Sequence, residues 1–394
     1  MDHHYDYLIV GGGMTGDAAA RALREADAGA RIGLIGDESD APYDRPPLSK
    51  ALWKGDKDVA SVDRGTGKLD VTLHLGRKAK QVDAAGHRVE DEAGNGYVYR
   101  KLLLATGGTP RTLSFHGERV IHFRTLEDYR HLRELAKPDA HIAVVGGGFI
   151  GSELAASLRS VGCRVTLIYP DETLGSKVYP ADLSRFITDY YREKGVTLIP
   201  GAKVVDGRAD AKGVELVLAS GERLQADAVV AGLGITPNVE LALQAGLKVD
   251  NGIVVDDQLR SSDPDIYAAG DVANFHDSTL DLRRRVEHED NALQMGAWAA
   301  RNMAGANEAW THLPFFYSDL FDLGYEAVGL LDARLDTYAD WSVPFREGAV
   351  YYLDDGRVRG VLLWNLWGQT DHARALIAET RSHDSSTLRG RLPR

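Results

Sequence analysis

A glycine fingerprint that occurs twice constrains this chain more than any other feature. The apolar run Tyr7–Val10 leads into Gly11-Gly12-Gly13-Met14-Thr15-Gly16. An Ala-rich helical segment follows, from Asp17 to about Ala28, with Gly29 suited to its end. His141–Val145 leads in the same way into Gly146-Gly147-Gly148-Phe149-Ile150-Gly151, then a helical segment from Ser152 to about Val161 that Gly162 ends. A second apolar run closes each copy, Ile32–Ile35 before Asp37 and Arg164–Tyr169 before Asp171. In such a unit the first glycine makes the tight turn, the second lets the backbone approach a pyrophosphate, and the third allows close helix–strand packing. The helix N-terminus receives the anion. An acid about 20 residues on accepts from a ribose hydroxyl. Asp37 lies 21 residues after Gly16 and Asp171 lies 20 after Gly151. One such fingerprint alone could be a kinase-type loop or an ordinary turn; here strand, helix and acid accompany both.

The copies also continue alike. His87–Glu92, Gly94-Asn95-Gly96 and Tyr97–Arg100 read as a hairpin, as do Val214–Ala219, Ser220-Gly221 and Arg223–Ala226. Leu102–Ala105 then runs into Thr106-Gly107-Gly108, and Ala228–Ala231 into Gly232-Leu233-Gly234. Residues 312–394 differ. Strands are expected at Tyr325–Leu331, Ala349–Leu353 and Val358–Trp364, with a turn at Asp354-Asp355-Gly356 and a short helix over His372–Glu379. The polar stretch Arg381–Arg394 is expected to fray. The predicted fold class is therefore α/β, with two Rossmann-like dinucleotide-binding domains and a small α+β C-terminal domain. The expected boundaries are 1–121 and 250–311 for the first nucleotide domain, 122–249 for the second and 312–394 for the last.

Composition narrows the function. The net charge of −12 disfavours nonspecific binding to nucleic acid or an anionic membrane, although a helix N-terminus still binds a dinucleotide locally. The single cysteine, Cys163, excludes an internal disulfide, a Cys-x-x-Cys redox pair and a thiolate zinc site, so no metal is expected. It reads as a small buried residue. No run reaches the ~20 apolar residues of a membrane span. The first residues show no signal peptide or presequence pattern, so a cytoplasmic protein is expected. Asp171 with no Arg directly after it favours NAD over NADP, because a 2′-phosphate would meet like charge; Lys177 nearby works against that preference.

Taken together, these motifs resemble the glutathione-reductase-like flavoproteins, in which the first fingerprint binds FAD and the second binds NAD(P)H. Tyr267-Ala268-Ala269-Gly270-Asp271 is similar to that family's second FAD motif, whose Asp holds the ribityl chain. Tyr43-Asp44-Arg45-Pro46-Pro47-Leu48-Ser49-Lys50 resembles ferredoxin reductases and apoptosis-inducing factor. Ala105–Arg111, Gly146–Ala155, Arg284–Glu287 with His288, Tyr325–Leu330 and Val361–Asn365 resemble apoptosis-inducing factor more narrowly, over nearly the full length. The chain departs from that pattern in having Tyr317 where a Trp precedes Ser-Asp-Leu, Glu289 where a second His stands, and no room for a long acidic insertion. The family's cell-death and DNA-binding roles do not transfer to so acidic a chain.

The resemblance implies the following roles. Lys50 and Glu153 meet beside the flavin; without it, they would read as a surface Lys after a Pro-Pro turn and an exposed helix Glu. Phe149 covers the flavin ring and yields to nicotinamide, against the alternative of a core aromatic. Glu287, His288 and Glu289 open a helix through Met303 whose dipole favours the reduced flavin; a solvated cap is the other reading of His288. Arg45 and Arg124 contact FAD, or else are solvated. Tyr317, Glu326 and Asn365 reach the nicotinamide side, or else pack in the core. The FAD set also takes Gly11, Gly13, Met14, Thr15, Gly16, Asp37, Ala79, Ala105, Thr106, Gly107, Gly270 and Asp271. The NAD(H) set takes Gly146, Gly147, Gly148, Ile150, Gly151, Asp171, Lys177 and Gly234. The implied activity is FAD-dependent NADH oxidation, with hydride passed from NADH to the flavin.

With no cysteine pair, electrons must leave the flavin directly for an external acceptor: a quinone, oxygen, a dye or a small iron–sulfur protein. Three functions follow as alternatives. They are an apoptosis-inducing-factor-like NADH oxidoreductase that dimerises on reduction, a ferredoxin or rubredoxin reductase, and an NADH-sensing assembly protein.

Overall fold

The computed structural model describes residues 2–393; Met1 and Arg394 lie outside the described residues. The chain divides into two compact units. One contains the described residues up to 45, with 59–109 and 236–314, the other residues 46–58, 110–235 and the described residues from 315 on.

In the first unit, strand Asp2–Val10 lies between Ile32–Ile35 and Gly96–Leu104, parallel to both. Thr72–His74 extends the parallel sheet on one side and Ile266–Ala268 pairs with Leu102–Leu104 on the other. Arg88–Asp91 and Ala79–Asp83 follow antiparallel. The strand order reverses at Asp2–Val10, and its C-terminal end is where an open α/β sheet leaves a crevice for a ligand. The continuous apolar run of that strand, buried from Tyr7 to Val10, is what burial on both faces requires. The fingerprint helix is Met14–Ala26, starting inside the motif and capped at Asp27, so Gly29 is not its terminator. It packs on helix Glu289–Met303 at very close range: a Cβ on Gly296 would fall 2.4 Å from the Thr15 carbonyl oxygen. The runs expected as separate strands, Tyr97–Arg100 and Leu102–Ala105, form one strand, because Asp2–Val10 pairs along its whole length.

The second unit repeats the plan. A five-stranded parallel sheet runs in the order Thr197–Ile199, Arg164–Ile168, His141–Val145, Ala228–Ala231, Val120–His122. The fingerprint helix is Phe149–Ser160, and Gly162 follows it at φ +91. The C-terminal residues form a five-stranded antiparallel sheet in the order Phe315–Leu320, Leu323–Gly329, Arg357–Trp364, Glu347–Asp354, Asp336–Val343. Its first and last strands were not foreseen, since neither shows clean alternation of apolar and polar residues. The Asp355-Gly356 turn has positive φ at both positions, 48 and 74, as a two-residue hairpin demands. Among the described residues the tail does not fray as expected. Asp384 caps a short helix, Ser385–Leu388, and Leu388 and Leu392 are buried. Two apolar side chains in a polar stretch are enough to dock it.

Candidate active site

In the first unit the fingerprint has the shape of an anion cradle. A Cβ on Gly16 would lie 2.1 Å from the Gly11 carbonyl oxygen, so the third glycine is where helix and strand end touch. A Cβ on Gly13 would meet only Arg45 Nη2, at 3.9 Å, so the middle glycine faces open space. No side chain caps the helix that starts at Met14. Backbone N–H groups in that position are suited to a phosphate. Asp37 is exposed, whereas the next residue, Glu38, is half-buried. Glu38 accepts from Arg45 Nη2 at 2.5 Å and from the Tyr43 hydroxyl at 2.6 Å. Burial would lower the Arg45 pKa, but Tyr43, Glu38 and Asp271 outweigh it and hold the guanidinium above its usual value. Arg45 is thus an obligate cation at the mouth of the cradle rather than a solvated surface group.

Gly270 and Asp271 close the same region: a Cβ on Gly270 would fall 2.2 Å from Thr15 Oγ1. Arg285 holds the Asp271 carbonyl oxygen at 2.8 Å and pairs with Glu287 at 2.6 Å. The Arg283-Arg284-Arg285 triplet is therefore spent internally, Arg284 on buried Asp277 and Arg283 on two backbone carbonyls. His288 is the N-cap position of the helix that begins at Glu289. Ala105 is buried; Thr106 donates to the Asn238 carbonyl at 2.7 Å and its own carbonyl accepts from the Asn238 amide at 2.9 Å. Gly107 accepts from the Asn238 backbone at 3.0 Å. Ala79 sits half-buried at the start of its edge strand.

The second unit contains the other cradle. A Cβ on Gly151 would lie 1.8 Å from the Gly146 carbonyl oxygen, one on Gly147 would press on Tyr169, and one on Gly148 would meet nothing within 4 Å. Its helix also lacks a side-chain cap. Phe149 is half-buried with its ring edge-on to Phe316 at 5.2 Å, and Ile150 is 40% exposed. Asp171 pairs with exposed Lys177 at 3.5 Å. The Gly234 carbonyl accepts from Arg111 N–H at 2.9 Å.

Lys50 and Glu153 meet, and neither is a surface residue. Lys50 Nζ lies 2.9 Å from Glu153 Oε1, and the residues are 8% and 2% exposed. Ser49 donates to Glu153 Oε2 at 2.6 Å and Ser318 donates to Oε1 at 2.6 Å. The Tyr317 ring centroid lies 4.9 Å from Lys50 Nζ. Ser49 and Ser318 escaped the sequence reading, although Ser49 adjoins Lys50 and Ser318 adjoins Tyr317. A short hydroxyl gives no periodic or charge signal. Behind Ser318, the Tyr179 hydroxyl donates to that of Tyr325 at 2.9 Å, and Tyr325 stacks on Trp364 at 5.7 Å. Burial, then the mutual tyrosine contacts and the Glu153 charge, pushes the Tyr325 phenol well above its ordinary value.

Glu326 accepts from the Gly368 N–H at 2.8 Å. Asn365, at φ 48, accepts from Gly324 N–H and donates to the Arg346 carbonyl, so its amide ties strand Leu323–Gly329 to the turn at Arg346. The Arg124 N–H is bound by Asp128. Cys163 is fully buried and burial pushes its thiol up, which suits packing and not redox chemistry.

A dinucleotide cradle in each unit, a buried Lys–Glu pair and one inert thiol define an oxidoreductase that uses FAD and NAD(H) without a redox disulfide. The chain belongs to the Pyridine nucleotide-disulphide oxidoreductase family, whose model matches residues 5–296. Residues 299–344 match the model described as apoptosis-inducing factor, mitochondrion-associated, C-term. The chain is similar to "Apoptosis-inducing factor 1, mitochondrial" of Dictyostelium discoideum, at 33% identity over 97% of this chain and 81% of that one. It is also similar to the anthranilate 1,2-dioxygenase system ferredoxin–NAD(+) reductase component of Burkholderia cepacia, at 36% identity over 97% and 96%. Among solved structures, it resembles the covalent putidaredoxin reductase–putidaredoxin complex with a TM-score of 0.89, 32% identity and coverage of 94% and 92%. It is an FAD-dependent enzyme that oxidises NADH and passes the electrons to an external acceptor.

Proposed function

We propose that FAD lies on the first fingerprint and NADH on the second, with residues 1–121 and 250–311 carrying the flavin function and 122–249 the nicotinamide function, and that the acceptor is a small iron–sulfur protein. The observation that carries the activity is the buried Lys50–Glu153 pair beside the second fingerprint. When bound, the flavin takes up a hydride from nicotinamide and releases electrons to the acceptor. Lys50 supplies a fixed positive charge and an N–H donor beside the second fingerprint, and Glu153 offsets the cost of burying that cation. Phe149, at the head of the second fingerprint helix, would yield to nicotinamide and exclude water there. Arg45 and the N–H groups from Met14 onward hold one pyrophosphate; those from Phe149 onward hold the other. Asp171 accepts from the adenosine ribose. Asp271 binds the ribityl chain, and the helix from Glu289 favours negative charge at its N-terminus.

Direct export of electrons follows from a single cysteine. The iron–sulfur acceptor is supported by near end-to-end similarity to the Burkholderia reductase component. A second reading, an NADH-dependent homodimer that signals its redox state, is favoured by the match of residues 299–344. We place the protein in the cytoplasm, where a lone cysteine is normal; among the described residues no helix is long and apolar enough to cross a membrane.

Anaerobic mixing of the FAD-loaded protein with NADH, followed by an oxidised [2Fe–2S] ferredoxin, tests this. Rapid bleaching of the flavin absorbance, then ferredoxin reduction that outpaces quinone reduction and slows with salt, is expected. Bleaching with slow turnover on every acceptor, together with an NADH-dependent rise in sedimentation coefficient, would select the second reading. No bleaching would overturn both.

A further inference from the structure

The Glu153 carboxylate is tied down by three donors within 2.9 Å, and they come from two sources. Ser49 and Lys50 lie at the end of one turn, itself locked to the fingerprint helix by the Ser157 hydroxyl, which donates to the Ser49 carbonyl at 2.6 Å. Ser318 comes from the C-terminal sheet, 165 residues away in sequence. Its own position is fixed by its neighbours. Ser318 is fully buried and sits directly across the strand pair from Tyr325. Tyr325 is held by the Tyr179 hydroxyl and by the Trp364 ring. The adjacent residue, Tyr317, places its ring over Lys50. Consecutive residues of one strand thus address the two members of the ion pair separately.

We infer that Ser318 is a positioning residue for hydride transfer: it fixes the Glu153 carboxylate, and through it the C-terminal sheet sets the geometry of the Lys50–Glu153 pair. The inference rests on the proposed role of that pair. A buried carboxylate has about four lone-pair sites to satisfy, and a lost donor leaves it free to turn away from Lys50. A small misplacement at the reacting centre lowers the chemical step without weakening binding in proportion. The hydroxyl acts by its donor and its place, not by proton transfer, so no proton moves along the contact.

The test uses the FAD-loaded full chain under anaerobic stopped flow. Ser318→Ala is expected to lower the limiting rate of flavin reduction about tenfold. The NADH concentration for half-saturation should stay within about twofold. The primary isotope effect with NADH deuterated at C4 should change, and Ser318→Thr should restore rate and isotope effect together. Should Ser318→Ala fail to load FAD, near-isosteric Ser318→Cys, a weak donor, should show a smaller slowing of the same kind. Wild-type rate and isotope effect in the variants that load FAD would overturn the inference. Glu153→Gln separates the two levels. If it too reduces at the wild-type rate, the proposed role of the pair fails and takes this inference with it. If it is slow while the Ser318 variants are not, this inference alone fails.

Discussion

Lys50 Nζ stands 2.9 Å from Glu153 Oε1, with side chains only 9% and 2% exposed. An ion pair this deep costs desolvation that a hydrophobic pair would not, so its retention calls for a use beyond stability. Lys50→Ala is expected to slow flavin reduction and to cost about 3 kcal/mol of stability, by leaving a buried carboxylate without its cation. The double variant Lys50→Met/Glu153→Leu should regain most of that stability and none of the rate. Thermal unfolding and stopped flow check both. A double variant as active as wild type would show that the pair is only structural.

Asp171 and Lys177 make the cofactor choice testable. The carboxylate meets a 2′-phosphate with like charge, and its Lys177 partner is 79% exposed and only weakly coupled to it. Asp171→Ala should raise the efficiency with NADPH relative to NADH about tenfold, equivalent to about 1.4 kcal/mol. Lys177→Ala should leave the KM for NADH within about twofold. Unchanged discrimination in Asp171→Ala would remove Asp171 from the ribose site.

The two open glycines and the two closed ones should behave differently. A Cβ on Gly148 enters empty space, so Gly148→Ala should fold, bind FAD and weaken NADH by occupying the cradle. A Cβ on Gly151 would lie 1.8 Å from a backbone oxygen, so Gly151→Ala should cost about 1–3 kcal/mol or more before any ligand is added. The melting temperatures and an NADH titration of the two variants distinguish space kept for a ligand from space already filled.

The duplication made the sheets legible because it pairs two strong local signals, a continuous apolar strand and a glycine turn, at fixed spacing. Ile32–Ile35, Arg223–Ala226 and Ala228–Ala231 are found where the pattern put them. Strand Phe315–Leu320 was not, since its apolar and polar residues answer to different neighbours: Tyr317 to Lys50, Ser318 to Glu153. Site chemistry suppressed the periodicity that would have revealed it. The acid at the end of Ile32–Ile35 shows a related limit. Spacing singles out Asp37, but Glu38 is the acid that meets Arg45 and Tyr43, a one-residue distinction set by tertiary contacts. Lys50 and Glu153 became a pair only through the family resemblance; nothing local brings positions 103 residues apart together.

Acid should weaken the fold through three half-buried histidines. Burial lowers the pKa of His74, with His3 and Arg77 adding to it; burial and then His116 lower that of His122; burial and then Arg164 lower that of His141. In the unfolded chain each imidazole binds a proton as pH falls through about 6.5. The native protein resists that proton until lower pH, so the unfolded state binds more protons in the interval and stability falls with pH. The contribution is fully present above about 6.5 and is lost progressively as pH drops towards the depressed native values. The melting temperature should therefore fall between pH 7.5 and pH 5.5. His74, 2.7 Å from the Tyr5 hydroxyl, and His141, 2.8 Å from Thr166 Oγ1, are each held in place by a hydroxyl. Replacing both with Gln should flatten the dependence of melting temperature on pH, whatever it does to the plateau above pH 7. An unchanged slope would mean that the acid sensitivity resides in other groups.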